Sequence, residues 1–333
     1  MPDLRLNLIT REWVVVESDK IITPKDFVEK NILKKQPDYS QTCHFCAGNE
    51  DMLPDEVDRI EEDGRWKVRV VRNKFSRLSE EGDNIRWSDK LKRGANGVGI
   101  HEIIVETPYH NLTTATTPLE QIRAVIEMYK KRFIKIYEDP RVEHVVIFKN
   151  SGRTAGTSFE HSLSQIAGIP VTPLEVRDRT ESYLRFFDDT GECLMCRMLR
   201  EELEEGSRIV LDSGHFVSFV PYAALSPFHL WIFPKRHAAS IADLTGEEIA
   251  DLASNMKTIM SKLYFGLENP DFNYTIRAAK PTNAGSKFMH WYLSLVPRIG
   301  YLSGFEMACG MHINPIQPEI SAEYLRSISL PEE

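Results

Sequence analysis

Two C-x-x-C pairs, Cys43/Cys46 and Cys193/Cys196, are the residues of this 333-residue chain whose type and spacing point most directly to chemistry. Thiols paired at this spacing serve as a metal knuckle or as a redox couple. A thioredoxin-type couple follows a strand and opens a helix. Cys43 instead follows Gln36-Pro37-Asp38-Tyr39-Ser40-Gln41-Thr42, a polar run that reads as a loop. A zinc knuckle is the better reading if histidines complete the ligand set. The fifth cysteine, Cys309, stands alone.

An internal repeat supplies those histidines. Ala155-Gly156-Thr157-Ser158-Phe159-Glu160-His161 aligns with Ala284-Gly285-Ser286-Lys287-Phe288-Met289-His290, sharing Ala, Gly, Phe and His at one spacing. Upstream, the segment running from Ile103 through Pro108 to His110 resembles that from Leu230 through Pro234 to His237. Each is an apolar strand, then a proline, then a histidine. The histidine offsets between halves nearly agree while the cysteine offset is longer, as a tandem duplication with one altered loop requires. Two ligand sets follow: Cys43, Cys46, His110 and His161; and Cys193, Cys196, His237 and His290. Each fills a four-coordinate Zn2+ with no position left for water, so both read as structural sites that couple metal binding to folding. The plainer alternative is ordinary histidines beside redox cysteines. His44, His101, His144, His215, His229 and His312 lack the repeated context and read as structural.

The elements that must position these residues are legible from periodicity. Strands are expected at 13–17, 67–72 and 144–150, and a helix at 118–137 carries apolar residues near period 3.6. The second half repeats the scheme, with a helix at 196–206, strands at 209–211 and 217–220, a helix at 246–263 and a strand at 273–277. Pro, Thr and charged residues at 168–181 mark the join between halves. The expected fold is α+β, two tandem duplicated domains (1–172 and 173–333) with mainly antiparallel sheets and flanking helices. No G-x-G-x-x-G or P-loop is present. Lys plus Arg number 41 against 49 Asp plus Glu, a net charge of −8, which argues against nucleic-acid binding. No apolar run approaches the ~18 residues a membrane span needs, and Met1-Pro2-Asp3-Leu4-Arg5 carries charge where a signal peptide is apolar. A soluble cytoplasmic protein is expected, with neither a nucleic-acid nor a membrane partner.

The motif Asn150-x-Gly152-x-x-x-Gly156-x-Ser158-x-x-His161-Ser162-x-Ser164-Gln165 resembles the active-site segment of galactose-1-phosphate uridylyltransferases and plant-type ADP-glucose phosphorylases. These are two-domain transferases of the histidine-triad superfamily. The resemblance extends over Leu8-Ile9-Thr10-Arg11-Glu12-Trp13-Val14, Val70-Val71-Arg72-Asn73-Lys74-Phe75, and Pro227-Phe228-x-x-Trp231-Ile232-x-Pro234-Lys235-x-His237. It continues through His290-Trp291 to Gly304-Phe305-Glu306-x-x-x-Gly310-x-x-Ile313-Asn314-Pro315. It implies zinc, a homodimer, and ligands that are nucleotides or nucleotide sugars and hexose 1-phosphates. It implies nucleotide contacts from Asn73, Phe75, Asn150, Gly152, Gly156, Ser158, Gln165 and Asn314, with Ser158, Gln165 and the amides of the Gly-rich turn offsetting charge on the transferring group.

In that family a histidine two positions after the metal-ligand histidine attacks the α-phosphorus, and a second phosphate compound collects the nucleotide from the nucleotidyl-histidine. Here that position is Leu163, and its counterpart after His290 is Tyr292. Leucine has no lone pair and cannot form a phosphoramidate. Two phosphate-contacting arginines, usual just after the first strand, are also missing: Asp19-Lys20-Ile21-Ile22-Thr23-Pro24 leaves only Lys20. The resemblance therefore implies a uridylyltransferase-like nucleotidyltransferase whose ordinary ping-pong activity is weak or absent. Activity would need a direct single displacement or a substitute nucleophile such as Ser162 or Ser164, and a serine phosphodiester is a poor intermediate. A zinc-stabilised nucleotide or sugar-nucleotide binding protein that has lost catalysis is the alternative, and a purely structural zinc protein a third.

Overall fold

In the computed structural model the chain is described over residues 1–17, 22–28, 36–300 and 303–331. Asp19, Lys20 and Ile21, in the stretch read as having lost the paired arginines, lie outside the described residues. Fifteen strands are described: β1 (Asp3–Leu6), β2 (Trp13–Val16), β3 (Glu56–Glu62), β4 (Arg65–Arg72), β5 (Arg86–Asp89), β6 (Lys92–Ala95), β7 (Ile100–Val105), β8 (His144–Ser151), β9 (Leu163–Ile169), β10 (Ile209–Asp212), β11 (Phe216–Phe219), β12 (Leu230–Pro234), β13 (Phe272–Arg277), β14 (Tyr292–Pro297) and β15 (His312–Asn314). The helices are α1 (Leu119–Ile136), α2 (Leu174–Thr190), α3 (Leu194–Glu205), α4 (Gly246–Gly266), α5 (Gly304–Cys309) and α6 (Pro318–Ser327). The fold is α+β with mainly antiparallel pairing, as expected.

Ten strands form one sheet in the order β10-β11-β12-β14-β13-β8-β9-β7-β4-β3, antiparallel at every pair. The duplication is visible in that order. From the centre outward, β8-β9-β7-β4-β3 of the first half mirrors β13-β14-β12-β11-β10 of the second, and β8 pairs with β13 to join them, Ile147 opposite Ile276. The long helix of each half, α1 and α4, falls between corresponding strands. A separate three-stranded sheet holds β1, β2 and β15, with β15 parallel to β2. The segment read as the join contains the first half of α2, which begins after Pro173 and ends at Gly191 in the left-handed conformation (φ 73°). Its scarcity of buried apolar residues, Tyr183 alone among them, is why the helical period was faint there.

Strand alternation gives the sheet two faces. One face is dry: Val68, Val70, Ile104, Val145, Ile147 and Ile166 of the first half, with Ile232, Leu293 and Leu295 of the second, pack on the apolar stripes of α1 and α4. Helix α4 starts at a reciprocal cap, Thr245 accepting from the Glu248 amide at 3.2 Å and Glu248 from the Thr245 amide at 2.9 Å. The opposite face carries both cysteine knuckles and helices α2 and α3. At its centre His144, Val146, Phe148 and Asn150 of β8 are only half-buried, while Val145, Ile147 and Lys149 between them are fully buried.

Candidate metal centres and ligand-binding site

Both four-residue sets converge, the ligand atoms of each lying within 4.8 Å of one another. In the first, Cys46 Sγ lies 3.5 Å from His110 Nδ1 and 3.7 Å from His161 Nδ1, and Cys43 Sγ lies 3.6 Å from His161 Nδ1. In the second, Cys196 Sγ lies 3.2 Å from His237 Nδ1 and 3.3 Å from His290 Nδ1. A tetrahedral ion with metal–sulfur bonds of about 2.3 Å and metal–nitrogen bonds of about 2.0 Å needs sulfur–nitrogen edges of about 3.5 Å. The residues therefore fit such an ion, and leave it no open position.

The outer contacts repeat as the ligands do. His161 Nε2–H donates to Thr107 O (2.7 Å) and His290 Nε2–H to Pro234 O (3.0 Å), each carbonyl three residues before its half's other ligand histidine. His237 Nε2–H donates to Ser286 O at 2.9 Å. These bonds fix the tautomer that leaves the Nδ1 lone pairs facing the thiols. The knuckles themselves differ. Cys43 and Cys46 sit in successive turns pinned by Asn49 Nδ2, which donates to Cys43 O at 2.7 Å, whereas Cys193 caps α3 and Cys196 lies in its first turn. Burial pushes the protonated Cys46 thiol up to about 11, so a bound cation must displace that proton.

Beyond the first metal centre, β9 sends alternate residues to opposite faces. Leu163 points to the knuckle face, is 3% exposed, and packs with Phe45, Trp66, Val71, Ile103 and Val105. Gln165 follows on the same face, opposite Ile103. Ser162 and Ser164 point the other way. Ser162 Oγ accepts from Lys149 Nζ at 2.7 Å and donates to Glu106 at 2.8 Å, and Ser164 is fully buried. Alternation thus removes both serines as substitute nucleophiles.

Asn73 and Gln165 come together as expected, but around a residue read from sequence as structural. His101 Nε2–H donates to Gln165 Oε1 at 2.9 Å, and Asn73 Nδ2 approaches the same oxygen at 3.4 Å. With its carbonyl thus occupied, Gln165 keeps its amide N–H groups for a ligand. Burial lowers the His101 pKa, so its ring is neutral at pH 7. A period-2 reading puts His101 on the face of Ile103 and Val105; the β7–β9 register that brings it to Gln165 is tertiary information.

The Gly-rich turn is held by the second half. Asp271 accepts from the Thr154 amide and hydroxyl, both at 2.7 Å, and any side chain at Gly152 (φ +87°) would collide with that carboxylate. Asn273 Nδ2 donates to Asn150 Oδ1 at 2.7 Å and to Ala155 O at 2.9 Å. Asn150 Nδ2 therefore faces Gly156 with no bond of its own among the described residues. The expectation that the turn's amides offset phosphate charge is corrected in part. Ala155 and Thr157 N–H donate to Gly152 O, Gly156 N–H to Arg153 O and Thr154 N–H to Asp271, so these four are spent on the turn. Ser158 is exposed and lines an open depression of about 200 Å³ with Cys43, His110 and Glu160, at the rim of the metal centre. Phe75 is 71% exposed. Asn314 is not brought to this group. It is fully buried, donating to the carbonyls of Ala224 (3.0 Å) and Ser226 (3.3 Å).

Comparison with known proteins finds similarity along nearly the whole chain. Residues 1–173 match the family model for the N-terminal domain of galactose-1-phosphate uridyl transferase, and residues 178–329 that for its C-terminal domain. ADP-glucose phosphorylase of Arabidopsis thaliana is 32% identical over 334 residues, covering 99% of this chain and 93% of the relative. Galactose-1-phosphate uridylyltransferase of Thermotoga maritima is 28% identical, with 98% of each chain covered. An Arabidopsis thaliana ADP-glucose phosphorylase solved with bound ADP-glucose has a TM-score of 0.81 at 30% identity, covering 99% of this chain and 100% of that one. With both domain models matched in order, the chain belongs to the galactose-1-phosphate uridyl transferase family.

Proposed function

We propose that this chain binds a nucleotide sugar on the knuckle face of its N-terminal half, that both Cys/His clusters hold zinc, and that covalent nucleotidyl transfer is weak or absent. The ligand class follows from the ADP-glucose bound by the Arabidopsis relative and the galactose 1-phosphate in the names of the others. Zinc here supplies a structural staple, since four protein ligands leave it no site for substrate. Asn150 Nδ2, the Gln165 amide and the exposed Ser158 hydroxyl are donors for phosphate oxygens. His101 orients Gln165 by holding its carbonyl. A hexose 1-phosphate is the second ligand on the same reading.

Leu163 carries the conclusion. A hydrocarbon stands at the head of β9, two residues beyond a metal ligand and two before Gln165, where attack on phosphorus needs an imidazole. Losing a covalent nucleophile removes several orders of magnitude in rate. The test is binding without adduct. ADP-glucose or UDP-glucose should raise the Tm of the native chain by mass action, and Gln165→Ala or Asn150→Ala should shrink that shift. Radiolabelled nucleotide should not remain on the native protein after denaturation. Absence of any thermal shift with nucleotides, nucleotide sugars and sugar phosphates would leave only the structural reading.

A further inference from the structure

A cavity of about 310 Å³ lies at the seam of the two halves, between the sheet and α2, with neither Leu163 nor Gln165 in its lining. Its floor is the knuckle face of the central strands, with His144 and Val146 on β8, Arg277 on β13 and Tyr292 on β14. Arg179 and Tyr183 of α2 form the roof. The repeat explains its position. Tyr292 stands two residues past the metal ligand His290, as Leu163 stands two past His161, so the cavity adjoins the second metal centre on the same face.

Its charge is unbalanced. Arg179 is 12% exposed; its Nη1 is buried without a partner, and its Nη2 reaches Glu175 only at 3.4 Å, through a carboxylate that is itself 75% exposed. The Arg277 guanidinium makes no hydrogen bond or ion pair among the described residues. Guanidiniums withdrawn from water ordinarily have a carboxylate or carbonyl to bond; here the Arg277 guanidinium has none, and Arg179 has only the exposed Glu175 carboxylate on the same wall, with Nη1 left unpartnered. Burial, with the Arg277 charge adding to it, pushes His144 down to about 4, so this ring is a neutral hydrogen-bonding group at pH 7. The rest of the wall is mostly apolar or aromatic, with Tyr183 5% and Tyr292 2% exposed, interrupted by Glu175, Thr180, Thr275 and His290.

The geometry points to a second ligand site that takes a phosphomonoester on a compact, partly apolar body, of the size of a nucleoside monophosphate or hexose phosphate. Two planar guanidiniums grip phosphate oxygens in pairs. The aromatic and aliphatic wall covers the ring that carries the phosphate, in a volume at the small end of those that hold such ligands. The site stands whether or not the N-terminal half turns over.

Isothermal titration of the full chain with AMP, UMP, glucose 1-phosphate and inorganic phosphate tests it, paired with hydrogen exchange along residues 174–190. At least one of the three organic phosphates should bind and slow exchange in α2 of the native chain. Nucleotide binding alone identifies a nucleoside ligand, and glucose 1-phosphate alone a sugar one. That binding should survive Gln165→Ala, which touches only the first site, and weaken at least about tenfold in Arg179→Gln and in Arg277→Gln. Unchanged Tm values without ligand show that the variants fold, and exchange in the native chain needs no variant. No slowing in α2 with any probe at millimolar concentration, or affinities unchanged in both arginine variants, would overturn the proposal. Inorganic phosphate binding as tightly as the organic phosphates would overturn the role of the apolar wall.

Discussion

At the residue scale, Leu163 is a branched hydrocarbon at the position proposed for the family's attacking histidine. Leu163 is sealed among five apolar side chains rather than exposed to a ligand, while the polar residues around it persist. Leu163→His should restore an acid-labile nucleotidyl adduct on incubation with ADP-glucose or UDP-glucose, because the apolar surroundings would keep the new imidazole neutral and nucleophilic. Radiolabel retained after alkaline denaturation checks this. A second histidine gives a pH prediction. His229 accepts from the Leu225 amide (3.4 Å), lies 2.9 Å from Ser294 Oγ, and is pushed down to about 3 by burial, nearby positive charge adding to the effect. Its folded pKa is depressed below the unfolded value near 6.5, so the stability it allows is intact above that pH. It is lost as pH falls toward 3, at about 1.4 kcal/mol per pH unit. His229→Gln should flatten urea-derived stability against pH between 6.5 and 4 by that slope.

At the element scale, what was legible followed from repetition and period. The two Cys/His clusters were readable because the order of their residues recurs in both halves, and each set of four comes together as read. The β8 segment was readable as an unbroken run of β-branched and aromatic residues, Val145 to Phe148, and α1 because its apolar residues recur near period 3.6 over eighteen residues. Helix α2 was read as part of a join because one buried side chain leaves no stripe to detect. His101 and the roles of Asp271 and Asn273 depend on which strands become neighbours, which no local pattern carries. The turn amides were misassigned because the second half's carboxylate, invisible from the first half's motif, tightens the turn onto itself. The knuckles carry this scale's prediction. Structural zinc sites contribute on the order of 10 kcal/mol of binding free energy each, comparable with the whole stability of a domain at ~5–15 kcal/mol. Elemental analysis should find two zinc ions per chain, and prolonged chelation should unfold the protein by circular dichroism. An unchanged Tm after verified metal removal would contradict the structural role.

At the scale of the molecule, ten strands make the two halves one sheet, and a buried polar network crosses their seam. Lys149 is ion-paired with Glu106, which accepts from Tyr129 at 2.9 Å, and Tyr129 meets Tyr274 of the second half at 2.5 Å. Desolvation opposes the Glu106 charge, but Lys149 and the hydroxyls prevail and hold its carboxyl below the usual range. Lys149→Met should cost about 3–5 kcal/mol in urea unfolding, because the carboxylate is left buried and unpaired. Adding Glu106→Gln should recover part of it. The same network backs β9 from its dry face and keeps Ser162 out of the ligand face, so the architecture that positions Leu163 also denies it a neighbouring substitute. The most direct measurement is the intact mass of the native chain after incubation with ADP-glucose or UDP-glucose and an alkaline quench. Only the unmodified mass is expected; a species heavier by one nucleotidyl group, at an abundance comparable with the protein, would contradict the account.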